Sequence, residues 1–467
     1  MSKICELSAT QLADKIRTKE LTAVEISQAF IDRIQEVNPF INAIQQFDPE
    51  RILREAQNAD HAVSTGEKIG KLHGLPITVK DTCHIKGFKC SKGFPGFLKH
   101  PSTYNATVIA RLKAEGVIIL GITNTPELLL SYETDNLIYG RTNNPHDLDR
   151  TPGGSSGGEA AIIAAGGSPV GIGSDAGGSI RQPAHYSGIC GHKPTQGLVP
   201  LTGTIPIDGA GIAAQIASFG PLSRFVEDLT LIMDVISGAD QKDPHSPPLM
   251  FGNPKTININ ELRVAYFYNN AETIASDDTV KTLDAVVQSL KNEVASLKES
   301  YPESIKDIYR LHWETFILGG DAGESLKQVY KNFGTTQISK LAQQFISQAE
   351  DCHFSTKELR QRFVEIEQFR YKMMRFMMNY DVILSPVAAT PARLHGETYS
   401  NIPDFTYVMI HNLTGWPATV VPCGKSKKGL PIGIQIAAAP WNDHVCLAMA
   451  KKLQEIFGIF PIPETQS

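Results

Sequence analysis

Residues 151–195 read TPGGSSGGEAAIIAAGGSPVGIGSDAGGSIRQPAHYSGICGHKPT. Two glycine- and serine-rich loops bracket an apolar run here, and a third glycine-containing turn follows. Glycine at this density costs backbone entropy. A packed chain accepts that cost where backbone must bend sharply or come close to a ligand. Ser156 and Glu159 have capping-box spacing, which predicts a helix over 160–165. Upstream, the apolar run 75–79 predicts a strand ending at Lys80. Residues 106–115 carry Val108, Ile109 and Leu112 on one helical face, and 117–120 reads as a buried strand. Thr125-Pro126 predicts a further short helix with proline at its first position. Strands are also predicted at 262–267, 382–385, 418–421 and 432–436, with a helix over about 277–297. Strands alternating with helices predict an α/β fold: a large mixed sheet flanked by helices on both faces.

The N-terminal forty residues read as helical. Ser8 with Gln11 and Thr22 with Glu25 fit capping boxes, and Asn38-Pro39 is expected to stop the second helix. The chain is expected to be one domain. Residues 1–70 supply N-terminal helices and 74–240 the core. Residues 244–380 form a mostly helical insertion, and 381–467 return to the sheet. In the insertion, Ile366, Phe369, Met373, Phe376 and Tyr380 fall on one helical stripe. Met374 and Met378 lie off it and are expected to border an apolar channel.

Three familiar loop motifs compete for the glycine-rich block. GGSSG at 153–157 matches the nucleophile elbow G-x-S-x-G, but loop sequence precedes it where a strand is required. Residues 171–176 match G-x-G-x-x-A, yet Gly177-Gly178 and Pro183 follow in place of an opening helix. The P-loop pattern is absent. No histidine pair has metal-site spacing, so no metal and no cofactor is expected. What remains is a serine in a Gly-Gly-Ser loop. There, successive backbone N–H groups can converge on an oxyanion. A serine hydroxyl needs a neighbouring base. His185 and His192 lie close in sequence. Lys80 is the alternative, because burial at the end of an apolar strand favours the neutral amine.

Taken in order, GLPITVKD at 74–81, GGSSGGE at 153–159, GSDAGGSIRQPA at 173–184 and GICGHKPT at 188–195 resemble the amidase signature family. The 24-residue separation of Ser155 and Ser179 fits as well. The likeness runs on to NLTGWPA at 412–418 and LPIGIQ at 430–435, and is weakest over 244–380. It implies a Ser-Ser-Lys triad that hydrolyses the C–N bond of a carboxamide through an acyl-serine. Ser179 is then the nucleophile, Lys80 the neutral base and Ser155 the relay between them. The resemblance further implies a cis Gly154–Ser155 bond and an oxyanion hole from the N–H groups of Ala176, Gly177, Gly178 and Ser179. Gly154, Ser156, Asp175 and Arg181 would support these loops, and Leu129 and Ser131 match a position that contacts substrate in relatives. One branch of the family is the glutaminase subunit of tRNA-dependent amidotransferases. QGLVP at 196–200 departs from the tyrosine-glycine-arginine pattern usual there. YETDN at 132–136 and GRTNNP at 140–145 suit the fatty-acid-amide-hydrolase branch.

Composition is that of an ordinary soluble globular protein, and the resemblance implies a small-molecule amide as its substrate. Hydrophobic residues are 42% and charged residues 20%. The net charge of -5 gives no reason to expect nucleic acid. Seven cysteines without a CxxC pair suggest a reducing compartment. The N-terminus lacks a signal-peptide apolar run. The uncharged stretch 405–424 is interrupted by His411, Asn412, Pro417 and Pro422. The expectation is a cytoplasmic protein with no transmembrane segment, with room for a homodimer.

Overall fold

The computed structural model describes residues 2–98, 100–204 and 211–464. Both N-terminal capping boxes form, at Ser8 for the helix Ala9–Arg17 and at Thr22 for Ala23–Ile41. Pro39 does not stop the second helix. It sits in the last turn, and the chain leaves at Asn42, whose φ is 48°. Asn38 makes that exit: its Oδ1 accepts the N–H groups of Ala43 and Ile44 at 2.7 and 2.9 Å.

Among the described residues, eleven strands form one sheet. They are β1 (Ile44–Phe47), β2 (Pro76–Lys80), β3 (Ile118–Thr123), β4 (Val170–Asp175), β5 (Cys190–Lys193), β6 (Ser218–Ser223), β7 (Arg263–Tyr266), β8 (Ser296–Glu299), β9 (Val382–Pro386), β10 (Ala418–Lys425) and β11 (Pro431–Ala437). Their order is β1-β3-β2-β4-β6-β5-β10-β11-β9-β7-β8. β2 pairs parallel with β3 and β4, while β4 with β6 and β10 with β11 are antiparallel, so the sheet is mixed. Alternate residues of one strand feed two apolar clusters. Val420 and Ile383 belong to one cluster; Val421, Val382 and Leu384 belong to the other. Both faces are therefore covered, as the near-continuous apolar strands require. Gly157–Ala164, Arg181–Ser187 and Thr406–Leu413 pack on one side, and Asp277–Leu290 and Asp443–Phe457 on the other.

Two predicted helices are shorter. The one opened by Ser276 ends at Leu290, and β8 follows as a polar edge strand beside β7. After Pro126 there is only a 3-10 turn, Glu127–Leu129, because Leu128 and Leu129 take φ of 54° and 64°. The helix Thr356–Met377 buries Ile366, Phe369, Met373 and Met377. Met374 and Met378 are 44% and 76% exposed, so they line no interior channel: they lie off that stripe and face solvent. No helix of the described residues is long and apolar enough to cross a membrane.

Candidate active site

β2 carries Lys80 into the centre of the molecule. The strand PITVK is buried throughout, and Lys80 is 0% exposed. Its Nζ lies 2.8 Å from Ser155 Oγ, 3.0 Å from Ser174 Oγ and 3.3 Å from Ser174 O. No carboxylate reaches it as an ion-pair partner among the described residues. Burial pushes the amine well below the ordinary lysine value; the Asp175 charge opposes this and the Lys92 charge adds to it. Removing a cation from water without a paired anion favours its neutral form. The other candidate bases are engaged elsewhere. His185 accepts the Gly433 N–H at Nδ1 and meets Thr390 O through Nε2. His192 is held by Thr419 and Asp443.

Ser155 sits in the first glycine loop, and the Gly154–Ser155 peptide bond is cis. Gly154 has no room for a side chain: a Cβ would come within 2.5 Å of the carbonyl oxygens of Ser131 and Glu133. The backbone of Ser131 and Glu133 thus runs directly beside this loop. Ser131 is buried, and its Oγ accepts the Glu133 N–H at 3.0 Å, while Leu129 is half-buried. Ser156 joins the two glycine loops. Its N–H donates to Ser179 O at 3.2 Å, and its Oγ donates to Ser174 O at 3.3 Å. This brings the Ser155 segment against Ser179, which is half-buried. Ser156 precedes the helix Gly157–Ala164 but makes no side-chain cap. Glu159, expected to complete that box, is buried under β2 instead and accepts from Thr78 Oγ1 at 2.6 Å. Burial raises the Glu159 carboxyl to about 8, which leaves it mostly uncharged at neutral pH.

The second loop is built on Asp175, the last residue of β4. Its carboxylate accepts the N–H groups of Gly178 and Ile180 at 2.8 and 3.1 Å. Arg181 Nε and Nη2 both donate to it at 3.0 Å, and Asn412 Nδ2 donates at 2.9 Å. Burial alone would raise this carboxyl. The Arg181 charge and hydrogen bonds outweigh burial and hold it well below the usual range. Arg181 also donates to Val408 O, Gln435 Oε1 and Asn412 Oδ1, so it ties the loop to β11 and to the helix Thr406–Leu413. Gly178 is glycine by necessity: its φ is 111°, and a Cβ would stand 2.3 Å from Val408. Of the four N–H groups expected in an oxyanion hole, that of Gly178 is turned to Asp175. Arg181→Met should therefore strand a buried carboxylate. A loss of about 3–5 kcal/mol in urea denaturation is expected. A loss under about 1 kcal/mol would mean that the pair does not hold the loop.

Four residues here were not singled out from the sequence. Ser174 contacts Lys80, and Asn412 and Gln435 anchor Asp175 and Arg181. These three lie within stretches that resemble the family, but nothing in their spacing separated them from neighbours. The fourth, His312, donates Nε2–H to Ala176 O at 2.9 Å across 136 residues of sequence, from the least family-like section.

The amidase family matches residues 25–447. Human fatty-acid amide hydrolase 2 is 32% identical over 98% of this chain and 90% of its own length. One component of the glutamyl-tRNA(Gln) amidotransferase of a Sulfurihydrogenibium species is also 32% identical, over 96% of this chain and 97% of its own. A solved fatty acid amide hydrolase superposes with a TM-score of 0.88 at 26% identity, covering 98% of this chain and 86% of that one. The buried lysine, the two glycine-serine loops beside it and a match spanning nearly the whole sequence lead to one conclusion: this chain belongs to the amidase family, and it is an amidase, a hydrolase of carboxamide C–N bonds.

Proposed function

We propose that the chain is a free-standing amidase for lipophilic acyl amides, working through Ser179, Ser155 and Lys80. The observation that carries this reading is the 2.8 Å contact of a buried, unpaired lysine with Ser155. A neutral amine has two protons to donate and one lone pair. The two Ser174 oxygens take the protons, which leaves the lone pair for the Ser155 hydroxyl. Ser179 Oγ attacks the amide carbon and passes its proton to Ser155 Oγ, whose own proton moves to Lys80. Lys80 returns that proton through Ser155 to the leaving nitrogen, the C–N bond breaks, and acyl-Ser179 remains. Water then attacks the ester by the same relay and frees the acid. With Gly178 held by Asp175, the oxyanion falls to the N–H groups of Ala176, Gly177 and Ser179. The chain works as one catalytic unit in this reading, and its compartment is the cytoplasm.

Leu128, Leu129 and Leu130 are half-buried in the stretch that leads into Ser131, whose carbonyl lies against Gly154, and in this reading they supply an apolar surface for an acyl chain. Strained φ values at two of them fit a segment shaped for a site. The test is a series of primary amides from acetamide to decanamide, with anilides, on the chain purified alone. Each methylene buried adds about 0.8 kcal/mol, so kcat/KM should climb severalfold per carbon before levelling. Activity restricted to glutamine, and dependent on a co-purifying partner, would overturn this reading in favour of a role inside an amidotransferase complex.

A further inference from the structure

The nucleophile loop presents three successive carbonyls, and each has a donor. Ala176 O accepts from His312, Gly177 O from Tyr132 Oη at 2.6 Å, and Gly178 O from the Gln182 N–H at 2.7 Å. A trans peptide sets its C=O and N–H in opposite directions. Whatever grips a carbonyl therefore aims the next N–H. The Gly177–Gly178 peptide is gripped at both ends, by Tyr132 on its oxygen and Asp175 on its N–H. The Ala176–Gly177 peptide is gripped by His312 on its oxygen, and its N–H meets no acceptor among the described residues.

His312 stands on a π-helix, Tyr309–Leu318, a rare element often found at functional sites. A carbonyl can only accept, so Nε2 carries the hydrogen. Nδ1 is then a bare acceptor, and it is buried without a partner. An apolar ring would fill the same space without that cost. Burial holds the imidazole at about 4, so it stays neutral through the working range. The next residue, Trp313, stacks on Tyr132 with ring centroids 5.7 Å apart, and Phe405 stacks on Tyr132 at 4.1 Å. One turn of the 244–380 section thus reaches both gripped carbonyls, the first directly and the second through a stacked ring.

We infer that His312 is a positioning residue for the oxyanion hole: its hydrogen bond to the Ala176 carbonyl aims the Gly177 N–H at the developing negative charge. This rests on the reading of Ser179 as nucleophile. The charge grows only in the transition state, so the effect belongs in kcat and not in KM.

The test compares H312F, which keeps the ring without a donor, with H312Q, whose amide nitrogen can reach the same carbonyl. Full removal of a hole donor costs about 10²–10³-fold, and mis-aiming one should cost somewhat less. H312F is expected to lose about ten- to a hundredfold in kcat, with KM and melting temperature held. H312Q should recover most of that loss. A trifluoromethyl ketone, which forms a tetrahedral adduct, should lose affinity for H312F in the same proportion. The acid limb of the pH profile should not move, since a residue acting as base would shift it. Wild-type kcat in folded H312F, or a rise in KM alone, overturns the inference. So does H312Q no better than H312F. Ser179→Ala run beside them separates the two levels. If it stays active, the nucleophile reading fails and takes the inference with it. If it is inactive while H312F is normal, only the inference fails.

Discussion

Ser179→Ala is expected to lose about 10⁴-fold or more in kcat while melting as the parent does. The substitution removes one half-buried oxygen and leaves the loop intact. What holds the loop is elsewhere: Asp175 on Gly178 and Ile180, Gln182 on Gly178 O, and Ser156 on the Ser179 carbonyl. None of these bonds uses the Ser179 side chain. Ground-state binding should therefore survive, and an amide should still protect the variant from heat. A fluorophosphonate provides the independent measurement. Mass spectrometry of the labelled wild type should place one adduct on Ser179 and none on Ser155, because Ser155 is buried with its hydroxyl on Lys80. An adduct on Ser155, or turnover within tenfold of wild type in Ser179→Ala, would require a different nucleophile.

The strand ending at Lys80 was legible from its apolar run, but the choice of Lys80 as base over His185 and His192 came only with the family resemblance, because a lysine after a strand is as readily a surface residue. β4, which carries Asp175 and Ser174, was not legible as a strand. Glycine weakens a strand, and Gly171 and Gly173 occupy two of its six positions. Both are required by packing that the sequence does not display. A Cβ on Gly171 would meet Glu159 Oε2 at 2.4 Å, and one on Gly173 would meet Leu222 at 2.7 Å. The same contact explains the misread capping box: Glu159 has the right spacing for Ser156, but β2 and β4 draw it under the sheet. β8 was missed, with its first two residues read into the end of the predicted helix, because its residues, SLKE, are half-buried or exposed at a sheet edge and carry no alternation. His312 had no signal at all. Its partner is 136 residues away, and it stands between Leu311 and Trp313 with no motif around it.

Lys80→Met should abolish turnover and also change how stability depends on pH. Lys80→Ala and Ser155→Ala should each cost several orders of magnitude. The double variant should lose little more, since groups acting as one relay are not additive. In the wild type, the acid limb of kcat/KM should fall where Lys80 takes up its proton, well below the ordinary lysine value of 10.5. An acid limb unchanged in any residual activity of Lys80→Ala would sink the assignment. The stability argument has the opposite sign from the usual ion pair. The unfolded chain binds a proton on Lys80 below the ordinary value, while the native chain does not until much lower pH. Between those limits the unfolded state holds more protons, so native stability rises with pH. Lys92, pushed down to about 8 by burial, and Lys193, to about 7, contribute in the same direction. They are present in both proteins, so the comparison isolates Lys80 together with its coupling to Glu159. Near pH 10 the two proteins should differ least. As pH falls toward 7, the melting temperature of Lys80→Met should gain steadily on the wild type. A difference that stays flat over that range would mean that Lys80 is protonated in the native state, and a protonated lysine has no lone pair with which to take the Ser155 proton.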